Sequence, residues 1–155
     1  MLDEVNIASQ LQIRTLSDSE IDTVSRHLGL ARLYQRDGDY LVAWIEETPV
    51  GHAYLTRTDP PQLQDVEVRA TFRRQGVAHK LVAAVEVVAS ARGARSLRLS
   101  VSARDTDVQR LYHSFGFVDV GIAPLEVRGV VNIRTGPLQV DDTLLTWEKI
   151  LLNAK

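Results

Sequence analysis

Three groups of residues in this chain have types and spacings that can do chemistry. The first is Arg73-Arg74-Gln75-Gly76-Val77-Ala78, a basic turn that opens directly into an apolar-periodic stretch. The start of a helix leaves unpaired N–H groups pointing one way, and the helix dipole adds partial positive charge there. Such an end suits a phosphate or pyrophosphate. Small residues at Gly76 and Ala78 let a ligand approach the backbone, and Arg73 and Arg74 can add charge-assisted hydrogen bonds. His79 either reaches the same anion or is an exposed first-turn residue. The second group is a single hydroxyl, Tyr112. It is either a proton donor or a core residue, four positions after Val108 and three before Phe115. The third is the run Gln62-Leu63-Gln64-Asp65-Val66-Glu67-Val68, which carries two carboxylates and two carboxamides on one short strand. Strict alternation puts Asp65 and Glu67 on the face opposite Gln62 and Gln64, unless a bulge intervenes. Glu67 is the best single candidate for a general base; otherwise it is a solvated residue paired with Arg69 or Arg98.

Other chemistries are excluded on composition and spacing. A P-loop needs Lys-Ser/Thr after its second glycine, and a dinucleotide fingerprint needs G-x-G-x-x-G; neither is present. The chain has no Cys, and His27, His52, His79 and His113 are scattered, so no metal site is expected. Net charge is -2, which gives no bulk attraction to nucleic acid or anionic membrane. No apolar run approaches the length of a membrane span. The acidic stretch Met1–Asn6 does not read as a signal peptide, and without disulfides the cytoplasm is the default location.

The 155 residues suit one domain, 1–155, with a proper core: 45% are hydrophobic and 25% charged. The expected elements are a first strand over Leu11–Arg14, then a helix through Ile21, Val24 and Leu28 capped by Ser17 or Asp18. A second short helix covers Leu30–Tyr34. Strands Tyr40–Glu46 and Val50–Arg57 form a hairpin, and Leu63–Val68 is the next strand. Gly76–Arg92 is the strongest helix, with Val77, Leu81, Ala84, Val85 and Val88 as one stripe and Gly93 as its terminator. Strand Ser96–Val101 follows, then a helix capped by Asp105 or Thr106 whose face holds Val108, Leu111, Tyr112 and Phe115. Phe117–Gly121 and Thr143–Ile150 close the sheet. The weakly patterned residues between them, 122–140, suit a hairpin extension or a substrate loop. Strands alternate with helices only in the second half, which implies an α/β fold: a central mixed β-sheet with helices on both faces.

R-x-x-G-x-A preceded by V-x-V resembles the acyl-CoA pyrophosphate loop of the GNAT superfamily of N-acyltransferases, whose motif reads Q/R-x-x-G-x-G/A. Ser100–Asp105 followed by Leu111-Tyr112-His113-Ser114-Phe115-Gly116-Phe117 looks like that family's second signature, a strand, an Asn-led helix, then A-x-x-L-Y-x-x-x-G-F. The order of elements matches the GNAT fold over about residues 10 to 150. The resemblance implies direct transfer of an acetyl group from acetyl-CoA to a primary amine within a ternary complex. The pyrophosphate would rest on the amides of Arg73, Arg74, Gln75, Gly76, Val77, Ala78 and His79. The pantetheine arm would pair with the backbone of Val66 and Val68, the Val68 N–H would serve the thioester oxygen, and Tyr112 would protonate the departing thiolate. Asp105 stands where the family usually has Asn and cannot donate as an amide can, so it is either a cofactor contact or only a helix cap.

The acceptor stays open between a small-molecule amine and a peptide or protein amine, with no nucleic acid or membrane partner and with a homodimer left open. Charges over 15–40 and 122–140, where this family builds its acceptor site, are mixed: Asp18, Glu20, Asp22, Arg32, Arg36, Asp37, Glu126, Arg128 and Arg134. Because Gln62 and Gln64 stand where relatives often carry a base, one alternative is a catalytically weak or inactive acyl-CoA-binding regulatory domain of the same fold. Another is an interaction protein whose turn holds only structural anions.

Overall fold

The computed structural model describes residues 10–133 and 136–151; the Met1–Asn6 stretch and Arg134 lie outside them. The elements are β1 (Gln12–Thr15), α1 (Ile21–Ser25), β2 (Gly38–Ile45), β3 (Thr48–Thr56), β4 (Leu63–Val68), α2 (Val77–Ala91), β5 (Ser96–Ser102), α3 (Thr106–Ser114), β6 (Val118–Asp119), β7 (Leu125–Ile133) and β8 (Gly136–Ile150). Strands β1-β2-β3-β4 form one antiparallel sheet, and β5-β8-β6 with β7 on β8 form another. The sheets join through a single parallel bridge, Gln62 with Arg98, supported by Arg98 N–H donating to the Pro61 carbonyl at 3.0 Å. Beyond that bridge the described parts of β4 and β5 make no further ladder pairs, so the two strands diverge into a gap. This is the mixed sheet with helices on both faces that the pattern of elements implies.

Two apolar layers hold the sheets. One face packs Leu41, Ala43, Ala53, Leu55, Leu63, Leu97 and Leu99 against α2, which buries Val77, Leu81, Val82, Val85 and Ala89. The buried stripe is thus rotated slightly from the expected one, bringing in Val82 and Ala89 and leaving Ala84 and Val88 half-buried. Gly51 makes this packing close: a Cβ there would lie 2.9 Å from the Glu67 carbonyl and 3.1 Å from Leu81. The other face packs Tyr40, Val42, Trp44 and Tyr54 against Val24 and Leu28 of the α1 segment. Above Trp44, the Arg14 guanidinium sits 4.4 Å from the ring centroid.

Two expectations need correction. The helix expected over Leu30–Tyr34 is only a 3₁₀ turn, Leu33–Gln35, ended by Arg36 in the left-handed region at φ 55°. The strand expected over Phe117–Gly121 shrinks to β6, because Gly121 turns to φ 76° and accepts no ladder role. Of the two alternatives for the weakly patterned stretch after it, the hairpin extension is the one that forms: β7 pairs antiparallel with β8, which runs back from Gly136.

Candidate active site

The gap between β4 and β5 organises every candidate group, and β4 is irregular just where it opens. Tyr54 pairs with Gln64 and His52 with Glu67, so two residues of β4, Asp65 and Val66, oppose the single Ala53 of β3. The extra residue is a β-bulge, with Asp65 at φ 49°. The bulge resets the alternation: Gln64 and Glu67, three apart in sequence, lie on the same face. The Arg69 N–H donates to Val50 on β3 at 2.9 Å. Two-residue alternation back from Arg69 turns the Val66 and Val68 backbone away from β3 and toward the gap.

On one side of the gap is a cavity of about 340 Å³ walled by Val68, Arg73, Arg74, Gly76, Val77, Ala78 and His79 of the turn, with Leu111 and Phe115 of α3 opposite. The turn is held from within. Arg73 Nε donates to the Val68 carbonyl at 2.9 Å, and Gln75 Nε2 to the Thr71 carbonyl at 3.2 Å. Arg74 and Gly76 take positive φ, 63° and 85°, and the Gly76 carbonyl accepts from Lys80 N–H at 3.0 Å to start α2. The amides of Val77, Ala78 and His79 precede that first bond and have no partner within the helix. Leu111, 42% exposed, presents an apolar edge to this cavity, and the His79 ring stacks edge-on with Phe115 at 5.4 Å.

On the other side is a cavity of about 220 Å³, lined by Arg32, Gln62, Gln64, Asp65, Val66, Ser100, Tyr112 and Leu144. Tyr112 lies where α3 passes between the two cavities, edge-on to Phe115 and Phe117 with centroids 5.9 Å away. Burial alone pushes its phenol up to about 12. Asp65 is the carboxylate in this wall; Glu67 is not part of it. The Asp65 Oδ2 accepts from the Tyr40 hydroxyl, which in turn accepts from the Arg32 backbone N–H at 2.9 Å. Burial and this bond raise the Tyr40 phenol far above its ordinary value.

Glu67 lies beside His52, with Oε1 3.4 Å from Nε2, and not beside Arg69 or Arg98; Arg98 pairs with Glu148 at 2.7 Å. His52 is fully buried. Its Nδ1 faces the Asp65 carbonyl at 3.0 Å and its Nε2 the Gly29 carbonyl, so the ring ties the bulge to the segment after α1. Nothing about His52 in the sequence marked it; only the β3–β4 register brings it to the site. The ligand atoms of His52, Asp65 and Glu67 fall within 4.8 Å of one another. Their hydrogen bonds to Gly29, Tyr40 and the bulge already account for that cluster. Asp105 lines neither cavity, and its Oδ1 accepts from Val108 N–H at 3.1 Å as the cap of α3. A groove of about 930 Å³ between α2 and β8 lies away from all of these groups.

Comparisons with known proteins agree with this geometry. The profile of the acetyltransferase (GNAT) family matches residues 9–117. No curated protein matches the sequence. Among solved structures, the Bacillus subtilis acetyltransferase in complex with CoA is 18% identical with a TM-score of 0.70, over 92% of this chain and 99% of that one. The ribosomal-protein-S18-alanine N-acetyltransferase of Escherichia coli is 15% identical with a TM-score of 0.69, over 94% and 96%. The spermidine/spermine N-acetyltransferase SpeG of Vibrio cholerae is 14% identical with a TM-score of 0.69, over 92% and 94%. At these identities the structures share the fold, while the profile covers more than half of the chain on both sides of the gap. The chain belongs to the acetyltransferase (GNAT) family.

Proposed function

We propose that the protein transfers an acetyl group from acetyl-CoA to a primary amine inside the β4–β5 gap. The observation that carries this reading is the pair of cavities beside an unpaired backbone edge, with Tyr112 of α3 lining the smaller and Leu111 and Phe115 of the same helix lining the larger. The pyrophosphate rests on the amides of residues 74–79, where Gly76 and the helix start leave donors unpaired. The pantetheine arm lies along Val66 and Val68, and the Val68 N–H points at the thioester oxygen. The amine enters from the smaller cavity, and its lone pair attacks the thioester carbon. The oxyanion that forms takes the Val68 N–H as its donor, a fixed dipole that costs no reorganisation. Collapse breaks the C–S bond, leaving an amide and a thiolate.

Tyr112 then faces the charge growing on sulfur. An alkyl thiol titrates near about 8.5, below this phenol, so complete transfer is uphill at first. Its first contribution is a hydrogen bond to the developing thiolate, with the proton passing over as the product leaves. The amine must shed a proton before attack, and Gln62 and Gln64 cannot take one. They hold the water that relays it, with Asp65 in the wall and Glu67 behind the bulge as the two carboxylates within the relay's reach. A binding-only domain would need no carboxylate in the acceptor cavity, and Asp65 favours the enzyme.

The test is release of CoA thiol from acetyl-CoA with a panel of amines. Release that depends on the amine, with the amine gaining one acetyl mass, is the expected result. Tight acetyl-CoA binding with no amine-dependent release would return the chain to an acyl-CoA-binding domain.

A further inference from the structure

The acceptor cavity holds two opposite charges that face nothing of their own kind. Asp65 supplies the one carboxylate in its wall and Arg32 the one guanidinium, while Gln62, Gln64 and Ser100 are neutral. Arg32 is half-buried and takes part in no ion pair among the described residues. Its one side-chain bond runs from Nη1 to Gln35 Oε1, 2.9 Å, a neutral partner that leaves the other guanidinium donors unspent. The position is fixed by the backbone: Arg32 N–H donates to Tyr40, and Tyr40 donates to Asp65. One short chain of hydrogen bonds therefore sets cation and carboxylate across a small space. The Asp37 carboxylate lies within electrostatic reach, linked through Gln35, but makes no direct pair with the guanidinium, so an anion arriving with the ligand can take the donors that remain.

Building on the transferase reading, we propose that the acceptor is a small amine that also carries a carboxylate, an amino-acid-like zwitterion. Arg32 takes the carboxylate in a forked pair. Asp65 draws the ammonium toward the gap, where it loses its proton and attacks. Polycationic acceptors fit poorly, because the single carboxylate is already hydrogen-bonded and Arg32 repels a second positive charge. The volume agrees: about 220 Å³ is below the roughly 300–1,000 Å³ of sites that take drug-sized ligands.

Thiol release is measured with the twenty amino acids, the matching α-carboxamides and spermidine, on wild type and Arg32→Gln. The carboxamide keeps the amine and the side chain and loses only the anion. Its amine is also the easier to deprotonate, so intrinsic reactivity runs against the expected preference. Wild type should use at least one amino acid about tenfold to a hundredfold better in kcat/KM than its carboxamide, the usual range for a charge-assisted pair. Arg32→Gln should bring the two within about twofold, by raising KM for the amino acid. Because the substitution spares the backbone N–H that anchors Tyr40, the fold is kept, and an unchanged melting temperature verifies it. Carboxamides or spermidine preferred by wild type, or a preference that survives Arg32→Gln, overturns the zwitterion while leaving the transferase intact. Acetyl-CoA binding with no amine used at all overturns the transferase reading and the zwitterion with it.

Discussion

In the proposed reaction Tyr112, Asp65 and Glu67 carry the chemistry, and each makes a distinct prediction. Tyr112→Phe removes the hydroxyl proposed to face the leaving sulfur and changes little packing. The expected loss is about 10²–10⁴-fold in kcat with acetyl-CoA affinity nearly unchanged. A kcat within about twofold of wild type would make Tyr112 a packing residue. The alkaline limb gives a second reading of the same residue. An ordinary phenol loses half its protons near pH about 10. Burial holds this one up to about 12, so the donor form persists through that range and kcat should not fall there. For the proton on the amine, Glu67→Gln and Asp65→Asn separate a relay from a base. If water carries the proton, the wild-type rate climbs with pH toward the amine's own pKa and each variant costs under about tenfold. A profile flat above neutrality in wild type, and lost in only one variant, names that carboxylate as the base. The turn and the α3 face that carries Tyr112 were legible in the sequence, because each sits in a recognisable pattern; Glu67 was named there too, but it lies beside His52 and outside the smaller cavity. Arg32 stood there only as one of many mixed charges, and His52 not at all. Their placement depends on which residue of β3 faces which residue of β4, and no local pattern encodes that.

At the scale of elements, two local departures from regularity build the site. One is the turn into α2. Its Gly76 lies at φ 85°, a conformation that a β-branched residue adopts only under strain. Gly76→Val should raise the acetyl-CoA Kd at least about tenfold, since both the amide directions and the clear approach are lost. Equal affinity in a folded variant would move the pyrophosphate elsewhere. The other departure is the bulge in β4, tied down by buried His52 through the Asp65 and Gly29 carbonyls. His52→Phe keeps the ring volume but strands those acceptors, at a cost of about 1–3 kcal/mol in denaturant unfolding. A fully stable variant would mean the bulge is held by the ladder alone. Leu63–Val68 and α2 could be read from sequence nearly to the residue, because alternation, the 3.6 period and the flanking glycines all agree. The bulge could only be allowed for: Asp65 is neither Gly nor Pro, and its reversal of φ comes from pairing with β3 and from the Tyr40 bond. The short helix over Leu30–Tyr34 failed for a related reason, since Arg36 turns left-handed and ends it after one 3₁₀ turn.

For the whole molecule, two sheets meet at one bridge and part again, and everything described here follows from that divergence. The layers on either face are independent, with α2 and α3 on one side and α1 on the other. The gap can therefore open to a cofactor from the helix side and to an acceptor from the opposite side. Acetyl-CoA that binds only the folded state should stabilise it by about 2.7 kcal/mol at 100 times Kd, read as a rise in melting temperature. The fold class and the order of elements were legible because helices alternate with strands only after β4. The separation of β4 from β5 is written in no local pattern; only the family resemblance implied an exposed backbone at Val66 and Val68. The central claim is positional: the thioester lies along Val66 and Val68, with the pyrophosphate on residues 74–79. Amide chemical shifts followed by NMR as acetyl-CoA is added test it most directly. The largest changes should fall on Val66, Val68 and residues 74–79. Changes centred instead on the groove between α2 and β8, or none at saturating acetyl-CoA, would contradict it.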